Sequence, residues 1–261
     1  KDRPRFVTAL RRAAPAARAL PGRVTRHLAS QLTGAWPDGA SPHGSPEDRW
    51  ALAEGERPLV VASYNVHKCV GTDRRFDPER VLRVIGEMNA DLVALQEADR
   101  RFGRRSGLLD GRALERETGL RFVPVSELLD GHGWHGNALL IRGGEVLNVR
   151  RLRLPGAEPR GAVLAELEFP AGKLRVVAAH LGLLRSSRQR QGATILHALS
   201  AAEPMPTLMM GDLNEWRPRR SVLRMMEPFF GRDRGGPASF PSRRPLLALD
   251  RMLGWPFGMV G

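Results

Sequence analysis

Cysteine is almost absent: Cys69 stands alone among 261 residues. That excludes an intramolecular disulfide and any zinc site built on thiolates. Lysine is scarce as well, at positions 1, 68 and 173 only, so the net charge of +13 is carried by arginine. One Tyr and nine Phe offer little material for a base-stacking platform. No run of about 18 apolar residues occurs, which excludes a membrane-spanning helix of ordinary kind. The chain has no internal repeat and no glycine-rich phosphate loop of the Walker or dinucleotide type. The apolar core of a secretory signal is missing too, and a cytoplasmic location is expected.

What is present divides into two parts. Residues 1–57 are rich in Ala, Pro, Arg and Gly, as in Arg11-Arg12-Ala13-Ala14-Pro15, and Trp36 to Pro46 is broken repeatedly by Pro and Gly. Such a stretch buries little, and a basic, loosely attached arm is expected, with peripheral membrane association as one use for it. Residues 58–261 read as one folded domain, and an apolar fraction of 42% is enough to fill its core. The basic balance points to an anionic partner, either a nucleic acid, a phosphorylated small molecule or an anionic membrane face.

Within the domain, strands are expected at Leu59–Tyr64, Leu92–Leu95, Arg121–Val125, Asn137–Ile141, Val146–Leu154, Ala162–Phe169, Leu174–Ala179 and Thr207–Met210. Asp77-Pro78 opens a helix whose apolar face is Val81, Leu82, Val84, Ile85 and Met88. Further helices are expected from Leu109 to Thr118, closed by Gly119, from Ser187 as cap to about Leu199, and from Ser221 to Met226. Leu246 to Leu253 is a last apolar stretch. Strands sit both next to each other and around helices, which favours an α/β sandwich with mixed sheets over a doubly wound parallel sheet.

The chemistry-bearing residues recur at strand ends. Asn65, Glu97 and His180 each follow an apolar strand, and Asp212 and Asn214 follow Thr207–Met210. In extended chain Asp212 and Asn214 would point to one side, an acceptor-only carboxylate beside an amide that both donates and accepts. An ordinary Asp/Asn turn is the alternative. Asp250 lies in or beside the last apolar stretch. Four strands that stop on such residues can meet on one rim, where a rigid scaffold positions function.

The stretches Ser63-Tyr64-Asn65-Val66-His67, Leu95-Gln96-Glu97, Gly136-Asn137-Ala138-Leu139-Leu140, Ala179-His180-Leu181, Gly211-Asp212-Leu213-Asn214, and Ser239-Phe240-Pro241-Ser242 followed by Leu249-Asp250-Arg251 resemble, in this order, the endonuclease/exonuclease/phosphatase family. The resemblance runs from about Leu59 to Leu253. It implies the DNase I-like fold, a four-layer α/β sandwich of two mixed, mainly antiparallel sheets. It also implies a phosphoesterase, with Mg²⁺ as cofactor and Mn²⁺ as an alternative. Glu97 would be the main metal ligand with Asn65 close by, since Mg²⁺ takes oxygen ligands and often only one or two protein carboxylates. Asp212 would orient or deprotonate the attacking water, and Asn214 and His180 would hydrogen-bond the phosphoryl oxygens. Asp250 would orient a histidine of the family's final strand. Asn137 would form a pocket wall or phosphate contact.

Two departures stand out. His67 occupies a position where many nucleases of the family carry Asp; a neutral imidazole suits Mg²⁺ poorly, which leaves His67 for substrate or for packing at the strand end. The family's final strand with Ser-Asp-His does not follow Asp250, so the resemblance implies a domain lacking that strand. Three readings remain: a Mg²⁺-dependent phosphoesterase acting on a phosphodiester of nucleic acid, phospholipid or a small molecule; a non-catalytic phosphate- or nucleic-acid-binding module of the same fold; and a basic nucleic-acid binder gripping phosphates through Arg100-Arg101, Arg104-Arg105, Arg217 and Arg219-Arg220. A monomer is expected.

Overall fold

The computed structural model describes residues 7–9, 59–100, 105–217, 221–233, 235–242 and 244–255. Two five-stranded sheets stack face to face with helices on both outer surfaces. Sheet one contains β1 (Val7–Ala9), β2 (Val60–Asn65), β3 (Leu92–Gln96), β4 (Arg121–Phe122) and β5 (Ala138–Ile141), in the order β1-β2-β3-β5-β4. Sheet two contains β6 (Glu145–Leu154), β7 (Arg160–Phe169), β8 (Gly172–Ala179), β9 (Thr207–Asp212) and β10 (Asp250–Trp255), in the order β10-β9-β8-β7-β6. Each sheet is antiparallel except for one central parallel pair, β2 with β3 and β8 with β9. The helices are α1 (Pro78–Glu87), α2 (Gly111–Thr118), α3 (Arg185–Ser200) and α4 (Val222–Phe230).

Three apolar layers follow from strand alternation. On β3, Leu92 and Ala94 face the other sheet, where they meet Val176, Ala178, Leu208 and Met210. Val93 and Leu95 face the opposite way, against Val81, Leu82, Ile85 and Leu114 of α1 and α2. The third layer packs Val177, Ala179 and Met209 under Ile195, Leu199, Val222 and Met226 of α3 and α4. The result is helix, sheet, sheet, helix: the four-layer sandwich of two mixed sheets that the sequence implied.

Local signals account for most element ends. Asp77 caps α1, its carboxylate accepting from Arg80 N at 2.8 Å. Asp110 caps α2, and Gly119, at φ 71°, closes it. Ser221 caps α4. Two expectations need correction. Ser187 does not cap α3; it lies buried in the first turn, its hydroxyl accepting from Ala157 N at 3.4 Å, and the cap is Leu184, which makes no side-chain cap bond. The strand at Arg121 stops at Phe122, although Val123 N still donates to Leu139 O. Within the last apolar stretch, Leu247 pairs with Phe240 in a loop, and a strand begins at Asp250. The segment 1–57, expected as an arm, lies outside the described residues except for Val7–Ala9, which pair antiparallel with β2.

The parallel pairs decide where a site can form. In a parallel pair both carboxyl ends lie at one end of the sheet. The two pairs pack against each other across the sandwich, so Asn65, Glu97, His180 and Asp212 all emerge at the same end.

Candidate active site

Asp212 is the last residue of β9 and holds the centre of this end. Its Oδ1 accepts from Asn214 N at 3.0 Å, and its Oδ2 accepts from Asn65 Nδ2 at 3.2 Å. His180 Nε2 lies 3.8 Å from the same Oδ2. Groups from both sheets therefore converge on one carboxylate. The chain can turn here because Gly211, at φ 142°, has no Cβ; one added there would stand 2.0 Å from Ala179 O. Of the two sequence readings of Asp212 and Asn214, the chain adopts the Asp/Asn turn and not extended geometry through Asn214. Asn214 adopts φ 51°, and the contact from its N–H to Asp212 Oδ1 is a side-chain-closed turn. Asn214 Nδ2 also donates to Leu181 O at 2.8 Å, which ties the loop after β8 to the loop after β9 and leaves the second amide hydrogen for another acceptor.

Glu97 leaves β3 with φ 55°, a left-handed turn uncommon for a non-glycine residue. Ala98 N then bonds Gly136 O at 3.0 Å, joining the loop that precedes β5. The Glu97 side chain is 21% exposed and is paired with the ammonium of Lys68. Lys68 sits in the turn His67–Cys69, where three consecutive non-glycine residues adopt φ of 47°, 54° and 59°. Such left-handed residues cost of order 1 kcal/mol each and persist where surrounding structure enforces them. Burial disfavours ionisation of Glu97, but the pairing with Lys68 and the fields of His180 and His67 outweigh it, so the carboxyl stays below its usual range. His180 moves the other way: burial, opposed by Asp212, pushes its imidazole down to about 4, so it is neutral at pH 7.

A cleft beside Glu97 and His180 is lined also by Lys68, Asp99, Arg105, Gly136 and Arg160. Burial raises the Asp99 carboxyl against the pull of Arg105, which bonds it at 3.1 Å. Of the residues singled out in the sequence, Asn65, Glu97, His180, Asp212 and Asn214 are brought together. His67 is exposed on the rim, with its backbone N–H donating to Asn65 Oδ1 at 3.1 Å; it does not pack at the strand end. Asp250 opens β10 directly opposite Asp212 in the ladder, so the two carboxylates share a face. Asn137 is fully buried, its amide nitrogen donating to Trp134 O and Gly161 O, so it braces the wall from behind.

Three groups escaped the sequence reading. Lys68 and Arg160 enter the cleft beside Arg105, which the sequence offered as a phosphate-gripping arginine; the only available signal was that Lys68 is one of three lysines. The third is a buried ion pair. Arg188 and Glu215 are 1% and 0% exposed, with Nε to Oε2 at 3.4 Å. Arg188 Nη1 also donates to Gly182 O and Leu183 O, while the Glu215 carboxylate accepts from Arg217 N and Val222 N. The pair thus fastens α3, the loop after Asn214 and the start of α4 together. The segment 184–188 is anchored by it.

Among the described residues no three His, Cys, Asp or Glu side chains form a ready cation cage. The donor set nonetheless fits a hard divalent cation. Glu97 offers carboxylate oxygens, against which the Lys68 ammonium already stands as a cation, and Asn65 Oδ1, which accepts from His67 N, keeps a second lone pair. Mg²⁺ commonly accepts so few protein oxygens and keeps waters for the rest.

Comparison with known proteins agrees with this geometry. The family model described as "Endonuclease/Exonuclease/phosphatase family" matches residues 62–260. No match was found among curated protein sequences. Among solved structures, a functionally unknown conserved protein from Enterococcus faecalis V583 superposes with TM-score 0.58 at 20% identity, covering 74% of this chain and 86% of its own. A mannosyl-6-phosphatase from Bacteroides thetaiotaomicron VPI-5482 gives 0.57 at 14% identity, covering 76% and 85%. An endonuclease/exonuclease/phosphatase from Beutenbergia cavernae DSM 12333 gives 0.53 at 20% identity; the match covers 75% of this chain and 64% of that one. At these identities the likeness is one of fold. The strand-end constellation, the paired sheets and the family match over residues 62–260 lead to one assignment: this chain belongs to the endonuclease/exonuclease/phosphatase family of phosphoesterases.

Proposed function

We propose that the chain hydrolyses a phosphodiester with the help of Mg²⁺, Mn²⁺ being the alternative, by in-line attack of water. The observation that carries this reading is the carboxylate of Asp212, held on both oxygens and 3.8 Å from His180, which itself lines the cleft with Glu97. Glu97, with Asn65 alongside, would hold the cation, which when bound supplies positive charge for the phosphoryl oxygens. Asn214 N and Asn65 Nδ2 fix the Asp212 carboxylate, leaving lone pairs to receive a proton from water. Neutral His180 donates an N–H to a phosphoryl oxygen, and the second amide hydrogen of Asn214 is placed for the same task. Burial around His180 strengthens such bonds. Asp250, facing Asp212, is a positioning residue, and His67 on the rim is a substrate contact. Asn137 holds the Trp134–Gly136 loop against the cleft.

The experiment is hydrolysis of a DNA, a phospholipid and bis-p-nitrophenyl phosphate, each with Mg²⁺, with Mn²⁺ and with chelator. Turnover should vanish with chelator and fall about a hundredfold or more in Asp212→Asn. Turnover indifferent to both would end this reading. One feature favours a second reading, a non-catalytic phosphate-binding module: the protein's own Lys68 already neutralises Glu97. In that case no substrate turns over, and phosphate compounds bind without added metal.

A further inference from the structure

The catalytic end carries a feature that the chemistry in the cleft does not use. Among the described residues ten large apolar side chains are exposed, and nine of them lie on loops leaving this end. The exception is Leu147, the extra residue of a bulge in β6 near the far end. The nine are spread over five loops, represented by Phe76 after β2, Leu129 before β5, Leu183 after β8, Trp216 after β9 and Leu246 before β10. Single exposed leucines scattered over a surface need no explanation; nine of ten gathered around one cleft do. Their tips are unsupported: Leu129 is fully exposed and Leu246 is 79% exposed.

Basic residues outnumber acidic ones on these loops. Exposed Arg75, Arg217 and Arg244 stand among the apolar tips. Three acidic neighbours are paired, Asp73 with Arg80, Glu127 with Arg151 and Asp233 with Arg251, while Asp130 stands exposed beside Leu129. Aliphatic tips in a basic field match a bilayer interface, where apolar side chains enter the acyl boundary and arginines meet headgroup phosphates. They match a nucleic acid less well, because the most exposed tips, Leu129, Leu246 and Leu183, stack on no base and would stay wet, and only Phe76, Trp216 and Phe240 offer rings there among the described residues.

We propose that the catalytic end docks on an anionic phospholipid bilayer and that the diester hydrolysed belongs to a lipid headgroup. The docking half stands on the surface alone; the substrate half rests on the phosphoesterase reading of the cleft. In the reaction the oxygen of water bonds to phosphorus, one P–O ester bond breaks, and the departing alcohol takes up the proton. The cleft lined by Glu97 and His180 lies at the docked end, so a headgroup reaches it without leaving the membrane plane.

The test is sedimentation of the full chain with vesicles of phosphatidylcholine alone and of phosphatidylcholine with phosphatidylserine. Leu129→Glu and Leu246→Glu are compared, separately and together. Both sites are open to solvent, so folding is unaffected, and hydrolysis of soluble bis-p-nitrophenyl phosphate should be unchanged. Binding to the anionic vesicles should fall by about tenfold or more for each leucine lost. Undiminished binding in the double variant, as would follow if residues 1–57 alone held the membrane, overturns the proposal. So does a wild type that binds no vesicles, or one whose leucines control DNA binding or self-association instead. Leucine-dependent vesicle binding with no turnover on any diester would sink the phosphoesterase reading and leave the docking surface standing. Turnover of the soluble diester without vesicle binding would do the reverse.

Discussion

At the scale of single residues, the contact between Lys68 and Glu97 has the most direct consequence. A metal that binds Glu97 must displace the ammonium or share the carboxylate with it. A partly exposed pair of this kind contributes about 1 kcal/mol. Lys68→Ala should therefore tighten Mg²⁺ binding by roughly fivefold, read by calorimetric titration; weaker binding would mean that Lys68 helps to build the cation site. The buried pair behaves differently. Arg188→Ala leaves the Glu215 carboxylate without its partner in a dry site, at a cost of about 3–5 kcal/mol. Urea unfolding should show that loss, and Arg188→Met combined with Glu215→Gln should show a smaller one. The contrast bears on what the sequence reveals. Asn65, Glu97, His180 and Asp212 were legible because each follows an apolar strand. Arg188 was not, because an arginine on a polar-looking helix gives no sign of being buried; only the long-range partner Glu215 makes burial tolerable.

At the scale of elements, capping chemistry carried the reading. Asp77 before Pro78 and Gly119 after Thr118 each mark an end that the sequence spells out, whereas the Asp110 cap was missed and the helix begins two residues later than expected, at Gly111. Asp77→Ala should destabilise the domain by about 1 kcal/mol, lowering the urea midpoint without changing the slope; an unchanged midpoint would mean that Pro78 and packing suffice. Ser187 misled because a serine before a helical pattern looks like a cap, whereas the turn is set by Leu184 and the hydroxyl is used by Ala157 across a loop. The strand at Arg121 was overlong because Val123 keeps a single ladder bond while the chain departs from the sheet. The pairing of strands was beyond local signals altogether: no local pattern states that β2 lies beside β3 in parallel.

At the scale of the whole molecule, the neutral His180 links the site to stability. Its folded-state pKa is depressed to about 4, below the ordinary value near 6.5. The unfolded chain therefore binds a proton first as pH falls. The stabilisation is complete above about pH 6.5 and is lost as pH drops toward 4. With chelator present, His180→Gln should flatten the acid limb of thermal stability across this window. A limb of unchanged slope would show that other groups govern it.

Asn65 and Asp212 belong to different sheets, and between those sheets lies a layer made of Val, Leu, Ala and Met. The molecule thus works like a pair of jaws whose bite is set by hydrocarbon thickness. Shortening Met210, well inside that layer, lets one jaw settle toward the other and alters the 3.2 Å contact from Asn65 to Asp212 without removing any group that meets substrate. Changes in the depth of the sandwich would then be felt as changes in turnover before they are felt in binding, because a reacting geometry tolerates displacement less well than a docked one does.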